Sequence, residues 1–210
     1  MKILLTMALA AVMTAGLLGT KAVLACGPTD LAHLHPGAKA RPPIGWVQFC
    51  TRNPKECVAP YEVSARTALT LARWKELDRV NRYFNKAIEP VTDLDQYGVA
   101  ENWTYAVTGK GDCEEYVLEK RRFLIRQGWS PASLLITVVI DKQNGGHAVL
   151  TVVTDHGDFI LDNVTDDILP WSNSGLTFIK RQSSSNPNVW VDLGRVPGKP
   201  EAVTATTARR

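Results

Sequence analysis

A change of period at Gly128 constrains this chain more than any other feature. Ahead of it, Leu69, Trp74, Leu77, Val80, Phe84 and Ile88 follow helical spacing, which predicts a helix with one apolar face over 66–89, stopped by Pro90. A second helix is expected over 113–127. Asp112 suits its N-cap, Glu114 and Glu115 its first turn, Tyr116, Val117, Phe123 and Leu124 its apolar contacts, and Gly128 its C-terminal cap. Behind Gly128 the pattern becomes strand-like. Runs at 134–140, 147–153 and 159–163 are separated by turns at 142–146 and 154–157, and runs at 176–180 and 189–193 extend the series. Residues 26–45, with Pro28, Pro36, Pro42 and Pro43, read as an irregular lead-in, and 195–210 read as a disordered tail. Asn81 and Asn85 stand four apart on the first helix, where asparagine is disfavoured. They either bond a neighbouring loop or face solvent.

The first 25 residues have the form of a signal peptide: Lys2, an apolar run from Ile3 to Leu18, and small residues ahead of Cys26. The run is short for a membrane span. Val23-Leu24-Ala25-Cys26 also loosely fits a lipoprotein processing site with Cys26 acylated, although leucine is an unusual choice at its position. The expected organisation is therefore a signal peptide over 1–25, one domain over 26–194 and the tail. The mature protein is expected to be periplasmic or secreted. Losing Lys2 and Lys21 from 24 basic residues leaves 22 against 21 acidic ones, a balance that points away from nucleic acid and acidic substrates.

Export implies an oxidising compartment. Cys50 and Cys57 flank an Asn53-Pro54 turn and are expected to form a short disulfide loop; metal binding by the pair is the weaker alternative, with no His or Cys cluster nearby in sequence. With Cys26 cleaved, acylated or flexible, Cys113 is then the odd thiol. It sits at a helix start, which lowers a thiol pKa, yet Asp112, Glu114 and Glu115 crowd it and act the other way. A nucleophilic thiol needs a base and an orienting acceptor. His147 opens a later strand and Asp162 lies near the end of the next; a tight hairpin centred in the 154–157 turn sets them opposite each other, on one face. A looser turn offsets them by a few residues. Each of the three residues alone has a bland reading as packing, strand-edge or turn. His156 is a rival base in a turn tip, and His33 and His35 fall in the lead-in.

Gly-Asp-Cys-Glu-Glu-Tyr at 111–116, Gly-His-Ala-Val-Leu at 146–150 and Leu-Asp-Asn at 161–163 together resemble the bacterial transglutaminase-like cysteine proteinases. The Trp74 to Asn85 pattern and the Cys50/Cys57 loop fit as well, so the resemblance covers about 44–193. It implies an α+β fold with a papain-like, transglutaminase-like core, in which the nucleophile helix packs on an antiparallel sheet. It implies an exported cysteine endopeptidase with Cys113 as nucleophile, His147 as base and Asp162 as orienter. Trp103 is a candidate oxyanion donor, or else an ordinary core tryptophan. The LapG-like periplasmic members of the family are calcium-dependent, which implies calcium at Asp112 and Glu114, with Glu115 a weaker ligand and the Asp93/Asp95 segment, loop carbonyls or water completing the shell. No organic cofactor is implied. Those members cut a cell-surface adhesin and are held by an inner-membrane receptor for cyclic di-GMP, so a protein substrate and such a receptor are the implied partners. Two alternatives stay open: a transglutaminase, in which an amine captures the same acyl-enzyme, and a non-catalytic binding module of the same fold.

Overall fold

The computed structural model describes residues 32–59 and 66–198. The expected signal peptide, Cys26 and the tail beyond Gly198 lie outside the described residues. The elements run β1 (Lys39–Ala40), α1 (Ile44–Arg52), α2 (Leu71–Ala87), β2 (Glu89–Pro90), α3 (Asp93–Tyr97), β3 (Lys110–Gly111), α4 (Cys113–Arg126), β4 (Leu134–Ile140), β5 (Gly146–Thr154), β6 (Gly157–Leu161), β7 (Leu169–Pro170), β8 (Thr177–Ser183) and β9 (Asn186–Pro197). Seven strands form one antiparallel sheet in the order β1-β9-β8-β4-β5-β6-β7, while β2 and β3 make a small parallel pair.

The two faces of the sheet follow from strand alternation. Leu134, Ile136, Ala148, Leu150 and Val152 point to the side that α4 covers, joining Val117, Leu118 and Leu124 of that helix and Leu77 and Val80 of α2 in the main core. Val139, Val149, Ile160 and Phe178 point the other way, into a smaller cluster closed by Leu34, Trp171, Leu176 and Leu193. The fold is therefore α+β, with the cysteine-bearing helix packed on an antiparallel sheet.

Besides short elements such as β1, α3 and β7, three longer ones differ from the sequence reading. The first helix begins at Leu71 rather than 66, because Thr67 pairs with β5 instead: its N–H donates to the Val153 carbonyl, and its own carbonyl accepts from Asp155. Thr70 then caps the helix by accepting from the Arg73 N–H at 3.2 Å. A helix the sequence reading did not include, α1, starts at the end of the lead-in, and its Trp46 and Phe49 are buried against Trp103 and Tyr105. Gly45 permits that packing, since a Cβ there would lie 2.2 Å from the Trp103 ring. Strand β9 runs on to Pro197, past the expected start of the tail.

A disulfide joins Cys50 at the end of α1 to Cys57 in the turn that follows, with Cα atoms 5.7 Å apart. Closing so short a loop stabilises by about 2–3 kcal/mol on the chain-entropy estimate. Replacing both cysteines by alanine is expected to lower Tm by roughly 5–10 °C for a domain of this size. An unchanged Tm in a scanning calorimeter would contradict that assignment.

Candidate active site

Cys113 is the first residue of α4, and among the described residues it is the free cysteine. The chain turns into this helix through Gly111, where a Cβ would come within 2.5 Å of Glu115 Cβ. Glu115 is fully buried and reaches back to the N-cap. Its Oε2 accepts from the Asp112 N–H at 3.0 Å and its Oε1 from the Thr104 N–H at 3.0 Å. This capping box fixes the helix start and hence the place of the thiol. The Cys113 thiol donates to Glu114 Oε2 at 3.0 Å, and the Ala148 N–H is directed at the sulfur. Burial, followed by the charge and hydrogen bond of Glu114, pushes the thiol well above its ordinary pKa, with the Ala148 N–H acting the other way.

Ala148 belongs to β5, and its neighbour His147 is the base expected from the sequence. His147 Nε2 meets Asp162 Oδ1 at 2.9 Å, with both side chains largely buried. Nδ1 is the ring nitrogen that does not meet Asp162. The hairpin is tight, with Asp155-His156 as its two-residue turn, but it is centred one position later than the midpoint of 147 and 162. Leu150 faces Leu161 and Thr154 faces Gly157, so continuing the ladder would put position 164 opposite His147. Asp162 is two residues short of that point, which keeps it on the same face. Strand β6 ends at Leu161, and the freed turn brings the carboxylate across the gap. The Val164 N–H donates to the same Oδ1 at 3.1 Å. Against burial, the hydrogen bond and charge of His147 hold Asp162 below the usual carboxylate range, so it is ionised at neutral pH.

A cleft runs over this group, lined by Pro43, Glu101, Trp103, Glu114, His147 and Lys180. Trp103 is a buried core residue that also borders the cleft, and its indole N–H is engaged by Glu101 Oε2 at 3.0 Å. It can donate to an oxyanion only by leaving Glu101. The rival histidines stand elsewhere. His156 is exposed in the β5–β6 turn on Asp155, and His33 bonds the buried Asp158 beneath the opposite face of the sheet.

The acidic residues form two overlapping groups. Asp112, Cys113 and Glu114 each bring one ligand atom within 4.8 Å of the others, and so do Asp93, Asp112 and Glu115. Asp95, by contrast, is exposed and accepts from Thr92 at the start of α3. Asp93 is buried and takes the Asn102 N–H, while its own N–H donates to Asp112 Oδ2 at 3.1 Å. Burial raises Asp93, lifts Glu114 to about 9 and lifts Glu115 to about 8. Hydrogen bonds from Glu114, Glu115 and the Asp93 amide overcome burial at Asp112 and hold it low.

The sequence profile of the bacterial transglutaminase-like cysteine proteinases (BTLCP) matches residues 36–197, most of the chain. The chain belongs to this family. As a transglutaminase-like cysteine proteinase it is a cysteine peptidase. Among solved structures, calcium-bound LapG of Legionella pneumophila is similar, with 24% identity and a TM-score of 0.50 over 62% of this chain and 74% of that one. EGTA-treated LapG of the same organism is 26% identical, with a TM-score of 0.48 over 57% of this chain and 67% of that one. None of the curated proteins compared matches.

Two features of this proteinase were missed from sequence. The direct bond from the thiol to Glu114 depends on a rotamer that spacing does not specify. Lys120 lies buried on α4, and its signal was a lysine seven residues after the cysteine, two turns along the same face of a helix.

Proposed function

We propose that this proteinase hydrolyses peptide bonds of a protein substrate through Cys113, His147 and Asp162. The observation that carries the reading is the buried His147–Asp162 pair, set on the strand whose next N–H, that of Ala148, is directed at the Cys113 sulfur. The thiol proton passes to His147 Nδ1 and the sulfur attacks the scissile carbonyl carbon. The C–N bond breaks as His147 returns the proton to the leaving amine. Water, deprotonated by the same imidazole, then splits the thioester. Asp162 holds the ring and stabilises the imidazolium without taking its proton.

The residues present fit a divalent cation. Asp112 Oδ1 is buried and without a hydrogen-bond partner, at the centre of carboxyls that all offer hard oxygen. We assign calcium to Asp112 and Glu114, with Asp93 and Glu115 on the other side of Asp112 available to complete the shell. Bound calcium supplies positive charge that offsets the carboxylates crowding the thiol. Calcium-bound LapG supports the reading. A chelator is expected to lower Tm and activity and calcium to restore both, with Asp112→Ala abolishing the response. Titration calorimetry that detects no binding at millimolar calcium would refute it.

Export and a cell-surface adhesin as substrate complete the reading, with an inner-membrane cyclic di-GMP receptor as regulator. Among the described residues no helix is long and apolar enough to cross a membrane. The test compares proteins shed from cells carrying the wild type and Cys113→Ala. A large surface protein shed only by the wild type is expected, and identical profiles would remove adhesin release.

A further inference from the structure

We propose that Lys120 is a positioning residue that aims the Asp162 carboxylate at His147 by holding the Asp162 backbone carbonyl. The proposal rests on the triad reading above and adds to it a device that joins the nucleophile helix to the orienting aspartate. Lys120 is 1% exposed on α4. Its Nζ donates to Asn81 Oδ1 at 2.7 Å and to the Asp162 carbonyl at 3.1 Å.

The turn after β6 leaves the sheet at the point where Asp162 must be placed, so its backbone acceptors need other partners. Two asparagines of α2 supply them. Asn85 Nδ2 donates to the Asp162 and Thr165 carbonyls at 3.1 and 3.0 Å, and Asn81 Nδ2 to the Thr165 and Asp166 carbonyls, both at 3.1 Å. Lys120 completes this cradle. It orients Asn81 through its side-chain oxygen and grips Asp162 itself, tying α2, α4 and the turn at one atom.

Packing alone does not call for a lysine here. A methionine would fill the space without the cost of burying an ammonium group. What the ammonium adds is a charge-assisted hydrogen bond to the carbonyl. The groups facing it are the Asp162 and Asp166 carboxylates from the turn, the Tyr116 ring at 5.8 Å on α4 and the Asn81 amide on α2. Burial lowers Lys120 to about 7, with the two aspartates working to keep it charged. Its charge in turn helps to hold Asp162 ionised.

The test replaces Lys120 by methionine in the mature protein, in calcium-containing buffer. Two readouts are taken beside Tm: the rate constant for alkylation of Cys113 by iodoacetamide, and the downfield NMR resonance of the proton between His147 and Asp162, assigned by its absence in Asp162→Ala. A folded Lys120→Met is expected to alkylate more slowly by on the order of tenfold, and to show that resonance displaced or lost. A residue that merely fills the core would change Tm and leave the resonance in place. Should Lys120→Met fail to fold, Lys120→Gln, which keeps a donor in the pocket, is expected to give the same two changes in smaller measure. A folded variant with wild-type alkylation and an unmoved resonance would overturn the role of Lys120 alone. A wild-type protein whose Cys113 is not preferentially alkylated would overturn the triad reading and the role of Lys120 with it.

Discussion

Cys113→Ala is expected to lose proteolysis by at least roughly 10⁴-fold while remaining folded, because no covalent intermediate can form. The thiol makes one side-chain hydrogen bond, to Glu114, and packs half-buried against the edge of the main core, where alanine keeps the Cβ and loses only the sulfur. The capping box that fixes the helix start uses Asp112 and Glu115, not Cys113. The loss in stability should therefore be modest, about 1 kcal/mol. Fragments released from a protein substrate by purified wild type and variant measure the loss. A variant with more than a hundredth of wild-type activity would contradict the assignment.

His147→Ala is expected to cost nearly as much, roughly 10³- to 10⁵-fold in kcat/KM. Burial and Glu114 keep the thiol protonated in the absence of a base, and the leaving amine receives no proton. This variant also has a stability signature. In the wild type, Asp162 is held below its unfolded pKa chiefly by His147, against burial. Its contribution is present above the unfolded value near pH 4 and is lost as pH falls through the lower folded value. In His147→Ala that contribution shrinks, because the buried carboxylate keeps the Val164 N–H but loses the imidazole. Denaturant unfolding at pH 7 and pH 3 should show the variant less stable than the wild type at pH 7, with the gap narrowing at pH 3. An equal gap at both would place the pair's interaction elsewhere.

How far the sequence could be read depended on the kind of force at work. Strand β4 and helix α4 were readable because local patterning governs them: a β-branched run bounded by turns, and an N-cap, acidic first turn and glycine end whose φ at Gly128 is +85°. Helix α1 was hidden by the prolines around it. It forms because Trp46 and Phe49 find Trp103 and Tyr105, partners more than fifty residues away. The pairing of His147 with Asp162 could be expected from the strands on either side of one turn, whereas the choice between direct opposition and an offset of a few residues stayed open. The register is set by Asp155-His156 forming the turn, and the reach of Asp162 by its release from the sheet. The roles of Asn81 and Asn85 were left open between loop contact and solvent; they bond the turn after β6, a contact that spacing in one helix cannot reveal. Among the carboxylates, the expectation favoured Asp112 and Glu114 over Glu115, while the geometry groups Glu115 with Asp93 and Asp112 as closely as Glu114 with Asp112 and the thiol.

The central claim, that Cys113 is an activated nucleophile, is tested most directly by brief exposure of the unreduced purified protein to a thiol-reactive electrophile, followed by intact mass and peptide mapping. Cys50 and Cys57 are tied to each other and should not react, and peptide mapping keeps any adduct on Cys26 separate from one on Cys113. One adduct on Cys113 in the wild type, absent in Cys113→Ala and strongly slowed in His147→Ala, is the predicted result. Equal labelling of wild type and Cys113→Ala would contradict it.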